Sequence, residues 1–188
     1  MPQRIHTPRL VLRPWQPADA EPFAAMNANP EVMKHFPARL SRLESDAMIE
    51  RMVYHMDVNG WGLWSIEAPN IAPFIGFCGL WTVSFEAPFT PAVEIGWRLA
   101  RPYWGKGYAF EAAQAAMNFG FETLGLDEIV SFTIPANIRS WHLMERLGMT
   151  HNPADDFEHP RLPEGHPMRW HVLYRKTHEQ HTAFSPTF

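Results

Sequence analysis

The stretch that most constrains the fold of this chain runs from Val93 to Ala113. It opens with seven residues that alternate as a β-strand does, and Pro102, which cannot donate to a β-ladder, follows them. Gly105 and Gly107 then flank Lys106 just before an alanine-rich segment that is typical of a helix. Glycines before a helix N-terminus let backbone N–H groups approach an anion, and the helix dipole favours negative charge there. These residues therefore predict a phosphate-binding strand, turn and helix.

The spacing of the glycines narrows the class of phosphate site. The dinucleotide-binding fingerprint needs a third glycine, and the P-loop is longer and ends in Gly-Lys-Ser/Thr. The run from Tyr103 to Ala109, with Glu111 after it and Glu94-Ile95-Gly96 before it, instead resembles the acyl-CoA-binding motif of the GNAT N-acetyltransferases. A second motif, Asn137-Ile138-Arg139-Ser140 with Leu147-Gly148-Met149 further on, is similar to the RimJ/RimL-type branch of ribosomal-protein N-terminal acetyltransferases. The resemblance covers about residues 7 to 176.

The resemblance implies an α/β (α+β) fold with a mixed, mostly antiparallel central sheet and helices on both faces. It also implies that the sheet splays apart between the strands Val93–Leu99 and Glu128–Ile134. From the residues themselves, the order strand, helix, strand, helix after Val93 predicts two parallel strands joined by a right-handed crossover. We expect one domain over residues 1–177 and a frayed tail over residues 178–188.

Periodicity and capping residues predict the remaining elements. A capping box at Ser41 and Glu44 starts a helix with an apolar stripe that ends at Asn59-Gly60. The other predicted strands and helices cover residues 7–14 (strand), 17 onward (helix), 61–67, 74–81 and 170–175 (strands), 107–124 and 137–147 (helices).

Composition limits the partners and the compartment. The 188 residues carry a net charge of −4, which gives no electrostatic reason to expect a nucleic acid or an anionic membrane as partner. The single cysteine, Cys78, lies within a predicted strand and is expected to be a buried, inert thiol. The ten histidines lack the spacing of metal ligands, so no metal is expected. The sequence shows neither the apolar core of a signal peptide nor a membrane-spanning run, so we expect a cytoplasmic protein. We expect it to be a monomer or a homodimer.

Two residues are candidates for acyl-transfer chemistry, which needs a base for the amine and an acid for the leaving thiolate. Glu94 shares a strand face with Gly96 and Arg98, and the resemblance implies that it acts as the base, directly or through a water; a structural glutamate is the alternative. The resemblance implies that Ser140 protonates the thiolate, although a serine in a first helical turn also satisfies local backbone. Many GNAT enzymes use a tyrosine as the acid at this helix position, but here the residue is Met144, which cannot donate a proton, so Ser140 or a water is left as the acid.

The resemblance implies acetyl-CoA as cosubstrate. Its pantetheine arm is expected to hydrogen-bond the backbone of the strand, and its pyrophosphate to lie on the amides of the following loop. Lys106 would pair with a phosphate, and Asn137, whose alternative role is that of a helix N-cap, would contact the pantetheine arm. The expected cofactor-binding residues are Trp97, Arg98, Leu99, Trp104, Gly105, Lys106, Gly107, Tyr108, Ala109 and Asn137.

The expected function is transfer of an acetyl group to a primary amine, on a protein N-terminus or a small molecule, by direct attack on the thioester. A non-catalytic acyl-CoA-binding or sensor module is the alternative. The segments Asn29–Leu40 and Asn152–Pro167 are expected to face the acceptor, because loops carry specificity. The second segment contains Asp155, Asp156 and Glu158, which either attract a cationic acceptor or are simply solvated.

Overall fold

Strand β5 (Val93–Leu99) contributes its first three residues to one compact unit and its last four to another. The computed structural model describes residues 3–183. The first unit comprises the described residues up to Leu80 together with Gly96–Ala116, and the second comprises Trp81–Ile95 and the described residues from Met117 onward. Each unit contains both strands and helices.

In the first unit, four strands pair in chain order, and each is antiparallel to the one that follows it. They are β1 (Ile5–His6), β2 (Val11–Arg13), β3 (Leu63–Ala68) and β4 (Ala72–Thr82, with its last two residues in the second unit). Three helices accompany them, namely α1 (Ala20–Ala28), α2 (Arg42–Asn59) and α3 (Tyr108–Asn118, with its last two residues in the second unit).

The capping residues of α2 behave as the sequence predicts. The Ser41 hydroxyl accepts the Glu44 amide, and the Glu44 carboxylate accepts the Ser41 amide at 2.7 Å, so two otherwise unsatisfied donors are paired. Gly60 ends the helix in the left-handed conformation. The predicted apolar stripe is only partly buried, because Met52 and Met56 lie in the core whereas Leu43 is 80% exposed.

In the second unit the start of β5 runs parallel to β6 (Glu128–Thr133), with Glu94 opposite Val130. Strand β6 pairs antiparallel with β9 (Trp170–Thr177), which also pairs with the short strands β7 (Thr150–His151) and β8 (Phe157–Glu158). Helix α4 (Ile138–Arg146) follows β6, and α5 (His178–Ala183) follows β9. The predicted mixed, mostly antiparallel architecture with a parallel β5–β6 pair is therefore confirmed.

Two expectations need correction. The predicted opening strand over residues 7–14 is shorter, since only Val11–Arg13 of that stretch pairs as a strand, with β1 lying before it. The predicted frayed tail is wrong for residues 178–183, which form α5. The His178 amide donates to the Asp127 carbonyl at 2.8 Å, and the buried His181 ring stacks on Phe121 with centroids 4.7 Å apart. Residues 184–188 lie outside the described residues.

Candidate functional site

The loop between β5 and α3 has the backbone that an anion-binding turn requires. Gly105 and Gly107 adopt left-handed φ values of 73° and 82°, which side-chain-bearing residues rarely adopt. Nothing lies within 4 Å of the position that a Cβ would take at Gly105, so the space beside it is open. Helix α3 begins at Tyr108, and the first amides of a helix have no acceptor within it. The turn therefore presents backbone N–H groups beside open space.

A network of hydrogen bonds braces this loop from the N-terminal part of the chain. Arg9 donates from Nη1 to the Lys106 carbonyl at 3.0 Å, and from its amide and Nε to the Glu111 carboxylate at 2.8 and 2.6 Å. Thr7 adds a third donor to Glu111 at 2.7 Å. Although burial alone would raise the pKa of Glu111, these hydrogen bonds outweigh it and lower the pKa. Arg9 was not found from the sequence, because about a hundred residues separate it from Glu111 and no local pattern links them.

The residues of this loop differ in exposure. Lys106 is exposed, with its ammonium 5.8 Å from the centre of the Tyr103 ring, whereas Tyr108 is buried and lies under the Arg9 guanidinium. Trp104 is partly buried, and its indole donates to the Leu99 carbonyl at 2.7 Å. The loop is thereby tied back to the end of β5.

The second half of β5 lies against β4 in the first unit. Gly76 approaches so closely that a Cβ there would lie 2.2 Å from the Arg98 carbonyl oxygen. The Ala100 amide donates to the Ile75 carbonyl at 2.9 Å. Trp97 and Arg98 are partly buried, and Leu99 is buried. This contact fixes the path of the backbone at the three strand residues that were predicted to bind the pantetheine arm.

Glu94 lies in the second unit, where β5 begins its pairing with β6. The buried Ser131 hydroxyl donates to the neighbouring Ile95 carbonyl at 2.9 Å and so fastens the two strands there. Glu94 itself is partly buried, and no described residue of its unit donates a hydrogen bond to its carboxyl group. Burial alone raises its pKa to about 8. A carboxyl with such a pKa exchanges a proton near neutral pH, as a general base must.

Asn137 and Ser140 stand at the start of α4 in the same unit. Asn137 occupies the N-cap position without making the side-chain cap bond, and its Nδ2 instead donates to Thr133 Oγ1 at 2.9 Å. The structural role as a capping side chain is therefore not realised. The Ser140 amide donates to the Asn137 carbonyl, while its partly buried hydroxyl bonds no backbone group of the described residues. Met144 is fully buried.

Three of the four carboxylates in the loop over residues 152–167 are engaged internally, and the fourth, Glu164, is exposed. Asp155 pairs with Arg175 at 2.9 Å, and Glu158 pairs with Arg169 at 3.0 Å. Asp156 accepts both the His151 ring and a backbone amide of β9. Because Asp155, Asp156 and Glu158 already have partners within their unit, the idea that these three form a free acidic patch for a cationic acceptor loses its basis.

Further expectations from the sequence concern the single cysteine, a metal site and membrane-spanning segments. Cys78 is fully buried, as expected, and burial raises the pKa of its thiol. In the part of the chain from residue 3 to 183, no group of three or more His, Cys, Asp or Glu side chains is arranged to hold a metal ion. Over the same residues, no helix is both long and apolar enough to cross a membrane.

Comparisons with known proteins agree with this geometry. The family model described as "Acetyltransferase (GNAT) domain" matches residues 9–150, which include parts of both units. The N-acetyltransferase p20 of Bacillus licheniformis, itself uncharacterized, is 32% identical over 148 residues, covering 77% of this chain and 81% of its own. A crystal structure of a GNAT-family acetyltransferase from Bacillus anthracis is similar in fold, with a TM-score of 0.76, 23% identity, and coverage of 94% and 99% of the two chains.

A third likeness is to a structure with its cofactor bound. The ribosomal alpha-N-protein acetyltransferase RimL in complex with coenzyme A aligns with a TM-score of 0.72 and 17% identity, over 93% of this chain and 98% of that one. At such an identity the likeness shows the fold.

Proposed function

We propose that this chain, which belongs to the GNAT family of acetyltransferases, transfers the acetyl group of acetyl-CoA to a primary amine that attacks the thioester directly. Its activity as an N-acetyltransferase follows from the family, whose members use acetyl-CoA. The attack, the acceptor and the roles of individual residues are what we propose. One observation carries the proposal, namely the braced turn at Gly105 and Gly107, which opens α3 beside free space.

In the first unit, this turn is proposed to hold the cofactor. The amides from Trp104 to Ala109 would bind the pyrophosphate, because the two glycines let the backbone approach an anion and the helix dipole favours negative charge there. Lys106, whose ammonium is exposed, would pair with a phosphate. The backbone of Trp97, Arg98 and Leu99 would bind the pantetheine arm, and we propose that β5 and β6 splay beyond Glu94 to admit it. Asn137 would contact the same arm through its carboxamide oxygen, to which no described residue donates.

In the second unit, Glu94 is proposed to take a proton from the amine. The neutral nitrogen then forms a bond to the thioester carbonyl carbon, and the carbonyl π electrons move onto the oxygen to give a tetrahedral intermediate. Collapse of the intermediate re-forms the carbonyl and breaks the carbon–sulfur bond. The Ser140 hydroxyl donates its proton to the departing thiolate and takes up the second proton that the acylated nitrogen loses, while Glu94 returns its proton to the solvent. The products are the N-acetyl amine and free coenzyme A. The unpaired Glu94 carboxyl and the Ser140 hydroxyl without a local backbone partner support these roles.

The acceptor is proposed to be a protein N-terminus or a small-molecule amine. A ribosomal-protein acetyltransferase among the structures of similar fold favours the former only as an analogy. The alternative is a module that binds acyl-CoA without turnover. A screen of amines for release of free thiol from acetyl-CoA separates the two, because the alternative predicts binding with no amine-dependent thiol.

Thermal unfolding tests the cofactor assignment. A ligand at 100 times its Kd that binds only the folded protein stabilises it by about 2.7 kcal/mol, so acetyl-CoA should raise Tm by several degrees. Gly105→Val should abolish this response, because it places a branched side chain in the open space beside the turn. Gly60→Val is the matched control, since Gly60 has a similar φ of 77° and open surroundings but caps α2. A wild-type Tm that ignores acetyl-CoA would refute the assignment.

A further inference from the structure

Arg98 is a cation enclosed by the first unit without a matching negative charge. Its guanidinium carbon lies 4.0 Å from the centre of the Phe36 ring and 5.4 Å from that of Phe77. Nη1 donates to the Asn27 carboxamide oxygen at 2.7 Å, and the buried Nε has no hydrogen-bond partner among the described residues. No carboxylate of the described first unit forms an ion pair with this guanidinium. The desolvation lowers the pKa of Arg98 to about 10, so the group is still charged at neutral pH.

This arrangement contrasts with another enclosed arginine of the same unit. Arg13 is also buried, but it donates to both carboxylate oxygens of Asp19 and to Glu67. An enclosed charge is costly unless an opposite charge or several hydrogen bonds compensate it. The rings beside Arg98 supply part of that compensation through their negative faces. The rest of its hydrogen-bonding capacity has no partner in the first unit.

The side chain that accepts a hydrogen bond from Arg98 is the carboxamide of Asn27, and its orientation is fixed. Asn27 is fully buried, and its Nδ2 donates to the buried Ser45 hydroxyl at 3.2 Å, which turns Oδ1 toward the guanidinium. An aspartate of the same shape would have neutralised Arg98. The asparagine instead holds the guanidinium in place and leaves its full positive charge available.

Phe36 lies within residues 29–40, the segment that we expect from its loop position to face the acceptor, and its ring covers one face of the guanidinium. The edge of a guanidinium that is held in its plane matches the two oxygens of a carboxylate.

We propose that Arg98, positioned by Asn27 and Phe36, binds a carboxylate carried by the amine acceptor. The inference rests on the proposed transfer to an amine and narrows its substrate class to acceptors with a carboxylate, such as amino acids or acidic peptides. Asn27 and Phe36 are positioning residues in this arrangement, and Arg98 is the residue that contacts the acceptor.

Equilibrium binding tests the proposal without requiring turnover. The probes are N-acetylated amino acids, which have the form of the product, each compared with its own primary amide by calorimetric titration. We expect the acid of at least one pair to bind roughly 10- to 100-fold more tightly than its amide, the range expected of a charge-assisted, bidentate contact. Thiol-release kinetics with free amino acids and their amides should show the same preference in kcat/KM.

Two variants test the role of the positive charge. Asn27→Asp keeps the shape of the contact but supplies an internal carboxylate, so the preference for the acid should disappear while Tm rises. Arg98→Gln should also remove the preference, and Arg42→Gln is the matched control because it removes the same charge from the exposed start of α2. Since the two variants perturb the fold in different ways, a common loss of preference identifies the charge as its cause.

Several outcomes would overturn the proposal. The carboxylate subsite fails if the wild type binds acids and amides equally, or if both variants keep the preference. It fails as well if the variants lose affinity for acetyl-CoA and weaken both members of each pair alike, because the anion would then be a cofactor phosphate. A wild type that does not bind acetyl-CoA refutes the proposed function instead, and the acid–amide titration still reports on Arg98.

Discussion

Replacement of Glu94 by glutamine gives the sharpest test of the proposed chemistry, because the environment of this carboxyl sets the expected pH dependence. Its pKa is raised to about 8 by burial, so about one molecule in ten carries the carboxylate at pH 7 and about nine in ten at pH 9. If this carboxylate is the base, Glu94→Gln should reduce kcat by roughly 10²- to 10⁴-fold. The glutamine keeps the shape of the side chain and removes only the proton acceptor.

The assay is thiol release from acetyl-CoA at a series of pH values, with kcat/KM measured for the wild type and the variant. The acceptor in this assay is a weakly basic amine that stays unprotonated from pH 7 to pH 9, so its own ionisation does not change and does not enter the ratio of the two rates. That ratio should increase nearly tenfold between pH 7 and pH 9, as the wild-type carboxyl loses its proton. A constant ratio across this range, or near-normal turnover of the variant, would refute the assignment of Glu94 as the base. The exposed carboxyl of Glu179 provides the control, and Glu179→Gln should leave the profile unchanged.

The same pKa has a consequence for stability. A carboxyl whose folded-state pKa exceeds its unfolded value keeps its proton longer in the native state. The native protein therefore binds more protons between pH 4.5 and about 8, and its free energy of unfolding falls as pH rises through that window. The shift from 4.5 to about 8 sets an upper bound of about 5 kcal/mol on this loss, and water reaching the partly exposed group reduces it. Glu94→Gln should remove this part of the pH dependence in denaturant unfolding.

Three further changes test neighbouring parts of the proposal. Ser140→Ala should slow turnover with acetyl-CoA, and the loss should shrink with a thioester whose leaving thiol is more acidic; an equal loss with both thioesters would argue against a proton donor. Glu111→Gln weakens the contacts through which Arg9 braces the loop, so KM for acetyl-CoA should rise roughly 3- to 10-fold while KM for the acceptor stays unchanged. A rise in KM for the acceptor with no change in KM for acetyl-CoA would contradict the bracing role. Asp155→Asn should lower Tm slightly through loss of the Arg175 pair and leave the acceptor KM unchanged, and an increased acceptor KM would restore the acidic loop as an acceptor site.

Local patterns in the sequence were sufficient to predict most of the strands and helices. The capping box at Ser41, the glycines around Lys106 and the strand at Glu128 each act through neighbours within a few residues, and their elements form where those patterns predict. The final helix was missed because its six residues depend on packing against Phe121 and on a bond to Asp127. Such contacts with residues far away in the sequence produce no periodic pattern of apolar residues from which a helix could be predicted.

For the candidate site, the sequence by itself determined the glycine turn before α3 and nominated Glu94, Asn137 and Ser140, because strand alternation and helix starts are local properties. Their chemical roles are still predictions. Tertiary structure alone decided the charge environment: the pairing of Asp155, Asp156 and Glu158, the raised pKa of Glu94 and the enclosure of Arg98 without a carboxylate. Burial and ion pairing depend on which distant segments are brought together in the fold, and no spacing along the chain records that.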